Sequence, residues 1–325
     1  MDKIDRTIDS IYVNLTRLPV GNTIRTIIIG ALQILYNVLA LFFAPSEATS
    51  KSRKLNKNAI VTGGTSGIGK ATVKMLLEEG FNVTLLARSS VNLETTLKDF
   101  AQYSKRLSII DCDLMSISSI VDACKKIEGP IDVLLNNAGV FQNKFVASKD
   151  GYESQFAVSH LAHYCIFSEL KSKINKRKTR IINISSCVQY APTLIDYESF
   201  TNPSKFSMHG SYSVSKLCNV LFTEYLASQG YKTCSVHPGA VMSNLYRSDR
   251  IVDFVLSKIV GSVIPILLIT PEESAKHIFP LCASNSALNG EYFWNGKIRP
   301  SNRLVSLEKA KELVSYSESL LSKHN

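Results

Sequence analysis

The 325-residue sequence predicts a single doubly wound α/β domain built on a parallel sheet. Three observations carry that prediction. From Asn58 onward short β-rich runs alternate with helical stretches; a glycine-rich turn follows the first run; and a composition of 45% hydrophobic and 20% charged residues is that of one folded core.

Residues 1–50 stand apart as an N-terminal segment before a main domain at 51–325. The 21 residues from Thr26 to Ser46 carry no charge. As a helix they would be about 31 Å long, near the hydrocarbon thickness of a bilayer, so a membrane anchor is expected at 26–46. Gln33 and Asn37 share one helical face and leave an interfacial or buried helix open. The flank that follows (Lys51, Arg53, Lys54, Lys57) is more basic than the one before, which places the main domain on the cytosolic side. A sequon begins at Asn14; those at Asn82 and Asn183 fall in expected core strands.

Seven scattered cysteines form no C-x-x-C pair and no metal spacing, as expected of reduced thiols in a reducing compartment. The net charge of +10 gathers at 51–57 and 171–180. Neither run interleaves aromatics or carries a nucleic-acid motif, which argues against nucleic acid, and the second reads as a solvated helix end.

The expected strands are 58–62, 82–87, 107–110, 131–136, 180–185, 232–237 and 291–295, seven in a parallel sheet. The first runs into TGGTSGIGK, whose Gly63, Thr65, Ser66, Gly67, Ile68 and Gly69 form a strand-to-helix turn. Such a turn lets a pyrophosphate approach backbone N–H groups at a helix N-terminus. The second strand ends in Ala87 and Arg88, with no acid to bind a ribose 2′-hydroxyl and a guanidinium to pair with a 2′-phosphate. That favours NADP(H); a merely solvated Arg88 is the alternative. Tyr212 and Lys216 stand four residues apart, on one helical face, where a fixed cation would favour the phenolate.

T-G-x-x-x-G-I-G at 62–69, NNAG at 136–139, NISS at 183–186, YSVSK at 212–216 and HPG at 237–239 occur in that order. With them the chain resembles the short-chain dehydrogenase/reductase family, a Rossmann-type fold. The interval from Ser186 to Tyr212 and TPEESA at 270–275 resemble its retinol-dehydrogenase-like branch.

The resemblance implies Tyr212 as general acid/base, Lys216 as the group that lowers its pKa and holds the nicotinamide ribose, and Ser186 as donor to the substrate oxygen. It implies Asn137, Ala138 and Gly139 beside the adenine ribose, and Asp113 at the adenine, with a helix N-cap as the alternative role for Asp113. It also implies Pro238 and Gly239 in the nicotinamide pocket and Ser243 at the carboxamide. The branch usually carries V-N-H-L-G-H where this chain reads VSHLAH at 158–163, so Ser159 replaces the Asn of the proton relay. His160 and His163 lack a third ligand, and no metal is expected; the resemblance gives them packing or surface roles. Ile259 to Pro271 is too short to span a bilayer and reads as a greasy lid or as an ordinary core helix.

These readings imply a membrane-anchored NADP(H) oxidoreductase for a lipophilic alcohol or carbonyl, such as a retinoid, sterol, polyisoprenoid or long-chain aldehyde or ketone. It would sit at the endoplasmic reticulum or lipid droplet, with a homo-oligomer compatible. A catalytically impaired NADPH-binding sensor or scaffold is the alternative, motivated by Ser159.

Overall fold

The computed structural model of the protein describes residues 2–17, 19–41, 55–89, 91–241 and 268–324. Its strands are β1 (Asn58–Thr62), β2 (Asn82–Ala87), β3 (Leu107–Asp111), β4 (Val133–Asn136), β5 (Arg180–Ile184), β6 (Lys232–His237), β7 (Asn289–Trp294) and β8 (Lys297–Arg299). Its helices are α1 (Asp2–Leu15), α2 (Asn22–Leu41), α3 (Gly67–Glu78), α4 (Val91–Asp99), α5 (Ile117–Lys125), α6 (Ser154–Phe156), α7 (Ala162–Leu170), α8 (Met208–Ser228), α9 (Pro271–Ala283) and α10 (Leu307–Leu321).

The strands form one sheet in the order β3-β2-β1-β4-β5-β6-β7-β8. The order reverses between β1 and β4, which opens a crevice at the carboxyl ends of the strands. β4 and β5 are buried at every residue, as a parallel strand covered on both faces must be. Alternation sorts the core into two layers. Ile60 joins the cluster with Leu134, Ile181, Leu217 and Leu313 beneath α5, α7, α8 and α10. Val61 joins Val73, Leu77, Ile182 and Ile278 beneath α3 and α9.

The sheet has eight strands rather than the expected seven, and β8 pairs antiparallel with β7. Asn295 and Gly296 link them, with φ of 49° and 72°. Two left-handed residues make the tight hairpin turn that Asn-Gly favours. That dipeptide was the available signal, but the strand after it is only three residues long.

The run expected to anchor at 26–46 lies outside the described residues from 42 on, and among the described residues no helix is long and apolar enough to cross a membrane. Instead α2 lies on the α/β domain, burying Arg25, Thr26, Ile29, Gln33 and Tyr36 at helical spacing while Ile24 and Ile27 are exposed. The reason lies in its polar groups, which hydrocarbon would leave unsatisfied. Arg25 Nε donates to the Ala191 carbonyl at 2.7 Å, and Gln33 Oε1 lies 3.0 Å from His237 Nε2. From α1, Tyr12 packs between Tyr190 and Trp294, at ring separations of 5.3 and 5.0 Å, while Asp5 and Asp9 accept from Arg299 at 2.6 and 2.9 Å.

Three smaller expectations meet the structure. In the basic run at 171–180, Lys171, Lys176, Arg177 and Lys178 are solvated as expected, with Lys176 Nζ donating to the Gln229 carbonyl at 2.9 Å, whereas Arg180 is buried in β5 and donates to the Ser286 carbonyl at 2.7 Å. Asn183 is buried in β5, so its sequon is inaccessible in the folded chain. All seven cysteines are buried and free. The hydrophobic run at 259–271 falls outside the described residues up to residue 267, as does Ser243.

Candidate active site

β1 enters the crevice and turns through Gly63, with φ of +65°, into α3. Gly67 opens that helix at φ 50°, a conformation glycine adopts without penalty. Gly69 packs so closely on the turn that a Cβ there would stand 2.2 Å from the Gly63 carbonyl oxygen. Ser66, the N-cap of α3, makes no side-chain cap bond, whereas Ser116, Ser207, Thr270 and Ser306 each cap their own helices. The first-turn N–H groups of α3 therefore stay available to an anion. Thr65 and Ile68 are half-buried around this cradle and Ser66 is exposed, which fits the pyrophosphate of a dinucleotide.

The turn is tied to the end of β4. Asn137 Nδ2 donates to the carbonyls of Thr62 and Gly63 at 2.9 and 3.1 Å. The backbone N–H groups of Asn137 and Ala138 both donate to Thr62 Oγ1 at 3.0 Å. Asn136 Nδ2 reaches Asn183 Oδ1 at 2.8 Å, so NNAG supports the central sheet.

α8 delivers Tyr212 and Lys216, with Lys216 Nζ 5.6 Å from the Tyr212 ring centre. Both are buried, and burial draws the Lys216 pKa from 10.5 down to about 8. Its Nζ donates to the Ile184 carbonyl at 3.3 Å, and Asn219 Nδ2 donates to the same oxygen at 2.9 Å. Asn219, one helical turn after the Lys, was not singled out from the sequence, although its spacing was a readable signal. Gly139 faces this group: a Cβ there would lie 3.0 Å from Lys216 Nζ and 3.5 Å from Ser159 Oγ. Ser159 is fully buried, and its hydroxyl has no hydrogen-bond partner among the described residues. Ser186 caps the short 3-10 turn Cys187–Tyr190, its hydroxyl accepting from Val188 N at 3.4 Å. Phe141 stands edge-on to Tyr212 at 5.1 Å.

The outer residues divide. Arg88 is exposed at the end of β2, and beside it the Asp111 carboxylate accepts from Ser89 N at 2.8 Å. Asp113 does not cap α5; Ser116 does. The Asp113 carboxylate accepts from Met115 N at 3.1 Å and pairs with Lys149 at 3.2 Å. Pro238 and Gly239 are buried after β6, where Gly239 has φ +90°.

His160 and His163 are both fully buried, which corrects any surface role, and they point to different partners. His160 Nε2 lies 2.9 Å from Ser317 Oγ; His163 Nε2 lies 2.9 Å from Thr62 Oγ1. Among the described residues no group of His, Cys, Asp and Glu could hold a metal. The sequence also gave no sign that Gln33 reaches His237, because that contact spans 204 residues.

Comparison with known proteins agrees with this geometry. A family described as short chain dehydrogenase matches residues 57–251. Retinol dehydrogenase 13 of Homo sapiens is 31% identical over 278 residues, covering 81% of this chain and 82% of that protein. Retinol dehydrogenase 14 of Mus musculus is 30% identical over 263 residues, covering 74% and 78%. Among solved structures, a protein from Mycobacterium Paratuberculosis superposes with a TM-score of 0.66 at 23% identity, over 83% of this chain and 95% of its own. Actinorhodin polyketide ketoreductase with NADPH gives 0.57 at 22%, over 75% and 97%. These last two share the fold. With the glycine cradle, the Tyr212–Lys216 helix and the family match covering one crevice, the chain belongs to the short-chain dehydrogenases, an oxidoreductase family that uses a nicotinamide cofactor, in the retinol-dehydrogenase-like branch.

Proposed function

We propose that this protein is an NADP(H)-dependent oxidoreductase interconverting a lipophilic alcohol and its carbonyl compound, in the class of retinoids, sterols, polyisoprenoids and long-chain aldehydes or ketones. The observation that carries the reading is Lys216, a buried ammonium held 5.6 Å from the Tyr212 ring, with the Ser159 hydroxyl on the other side of Gly139 and without a partner among the described residues. Burying a charge is costly, and here the cost places a cation beside a phenol.

When bound, the nicotinamide supplies or takes up the hydride. Tyr212 gives the proton to the substrate oxygen in reduction and accepts it in oxidation. The Lys216 ammonium favours the phenolate, and the Ser186 hydroxyl donates to the same substrate oxygen as charge develops there. Ser159 takes the place of an Asn in the path that returns the proton, its hydroxyl positioned to hold a water.

Arg88 supports a 2′-phosphate, as do the NADPH complexes among the structures that share the fold. The aromatic and aliphatic cluster around Tyr212, with Phe141, Val188, Ile29 and Tyr190, supports an apolar substrate. Residues 51–325 would form the catalytic domain, with 1–50 as its N-terminal attachment. The exposed Ile11, Ile24 and Ile27 on that attachment support contact with a lipid surface, at the endoplasmic reticulum or lipid droplet.

The test is turnover of NADPH with a panel of long-chain aldehydes, ketones and retinoids, native protein against Tyr212→Phe. Turnover that survives the substitution would falsify the mechanism. NADPH binding without turnover on any substrate would point to the scaffold reading that Ser159 motivates.

A further inference from the structure

The strongest unassigned group is the imidazole of His163, which the mechanism above does not use. It is buried on α7, one turn beyond a wide π turn over Ala157–Leu161, in which Ala162 N–H reaches back to the Ala157 carbonyl. Such turns occur often at functional sites but are no site by themselves. What distinguishes this one is its wiring. His163 Nδ1 lies 2.8 Å from the Ser159 carbonyl oxygen, and Nε2 lies 2.9 Å from Thr62 Oγ1.

The protons in that chain can be placed. Thr62 Oγ1 already accepts two backbone N–H groups, from Asn137 and Ala138, which occupies both of its lone pairs. Its single O–H must therefore donate, and His163 Nε2 receives it. The Ser159 carbonyl can only accept, so the ring proton sits on Nδ1. Every link from the Asn137 and Ala138 N–H groups through Thr62 Oγ1 and the His163 ring to the Ser159 carbonyl is then filled in one direction. The titratable groups near the ring, Lys216 and His160, agree with a neutral imidazole, since burial and the nearby Lys216 charge hold its pKa down at about 3.

We infer that His163 is a positioning residue: as the neutral Nδ1–H form it ties the glycine turn at Thr62 to the backbone of Ser159 and so sets the cofactor side and the proton side of the site together. The inference rests on the oxidoreductase reading above. One end of the chain fixes the turn into α3 and the strand end that carries Gly139. The other fixes the turn that carries Ser159, whose Oγ borders, with Lys216 Nζ, the space at Gly139.

Two substitutions separate the ends. In His163→Asn the amide lies where Nδ1 does and keeps a donor to the Ser159 carbonyl, but Thr62 loses its acceptor. In His163→Gln the amide reaches where Nε2 does and keeps the acceptor for Thr62, but the Ser159 carbonyl is released. The expectation is a loss of about tenfold in NADPH affinity for the Asn variant, with kcat at saturating NADPH little changed. The Gln variant should bind NADPH as the native protein does, with kcat lowered about tenfold and the pH profile of kcat displaced.

Affinity is read by calorimetry with NADPH alone, independently of turnover. A third measurement needs no variant to fold for activity: selective 15N labelling of the six histidines should show His163 as the Nδ1–H tautomer. An Nε2–H signal, or two variants that lose stability while NADPH affinity, kcat and pH profile stay native, overturns the role. If the native protein neither binds NADPH nor turns over any substrate, the oxidoreductase reading fails, and this role fails with it. An active native protein with the outcomes just named sinks the positioning role alone.

Discussion

Gln33 accepts a hydrogen bond from His237 at 3.0 Å, joining α2 to the segment that leads into Pro238 and Gly239. Both side chains are buried, and burial brings the His237 pKa down to about 3, so the ring is neutral and donates from Nε2. The N-terminal helix is thereby fastened to a wall of the candidate active site. Gln33→Leu leaves that N–H buried without an acceptor, at an expected cost of about 1–3 kcal/mol in denaturant unfolding. Weaker NADPH binding should accompany it. A variant as stable as the native protein would mean that α2 does not hold this segment.

Gly139→Ala should separate catalysis from folding. The added Cβ would stand 3.0 Å from Lys216 Nζ, the far end of a side chain that also donates to the Ile184 carbonyl, and 3.5 Å from Ser159 Oγ. The chain should fold with stability within about 1 kcal/mol of native, as few packed atoms must move. By occupying the space the two groups share, the methyl should lower kcat by at least about tenfold. Unchanged kcat would remove this space from the proton path.

Lys216 should cost stability where it supports chemistry. Its folded pKa of about 8 lies below the ordinary 10.5, so the unfolded chain binds the extra proton between those values and stability rises with pH across that window. Below pH 8 the whole penalty is present, on the order of 3 kcal/mol. Lys216→Met should therefore be inactive, yet at least as stable as native at pH 7, with its advantage shrinking as pH rises towards 10.5. Urea unfolding at several pH values checks this, and an advantage that grew with pH would contradict it.

Arg299 anchors α1 through the buried Asp5 and the half-buried Asp9, with Tyr36 Oη as a further partner at 3.2 Å and Lys297 sharing Asp5 at 2.7 Å. Burial favours the neutral form of Asp5, but Lys297 and Arg299 outweigh it and leave the pKa lowered; at Asp9 burial prevails and the pKa is raised. Arg299→Met leaves Asp9 without its ion-pair partner and Asp5 with Lys297 alone, and should cost about 3 kcal/mol. Hydrogen exchange should then rise across Asp2–Leu15 well before the sheet. Uniform exchange across the whole chain would show that the helix pair is not a separate cooperative unit.

Arg88→Ala tests cofactor choice. If the guanidinium pairs with the 2′-phosphate, NADPH affinity should fall by about 10–100-fold while NADH affinity holds, the size of a charged hydrogen bond. Equal losses for both cofactors would leave Arg88 as a solvated strand end.

Much of the site was legible because its motifs are local. The turn at Gly63–Gly69 and the interval from Tyr212 to Lys216 are set within a few residues of backbone, and each observed strand overlaps an expected one except β8. The role of His163 was not legible, since its partner Thr62 lies 101 residues away.

The sequence by itself determined the alternating α/β order, the cradle, and the placing of a Tyr and a Lys on one helical face, because periodicity and turn chemistry act over short distances. Only the tertiary structure decided where the first forty residues go. An uncharged run suits a bilayer by hydropathy alone, but Arg25 and Gln33 find buried partners at Ala191 and His237, and Asp5 and Asp9 find Arg299. Buried polar groups follow their partners, and those partners are brought together by the fold rather than by the spacing of residues along the chain.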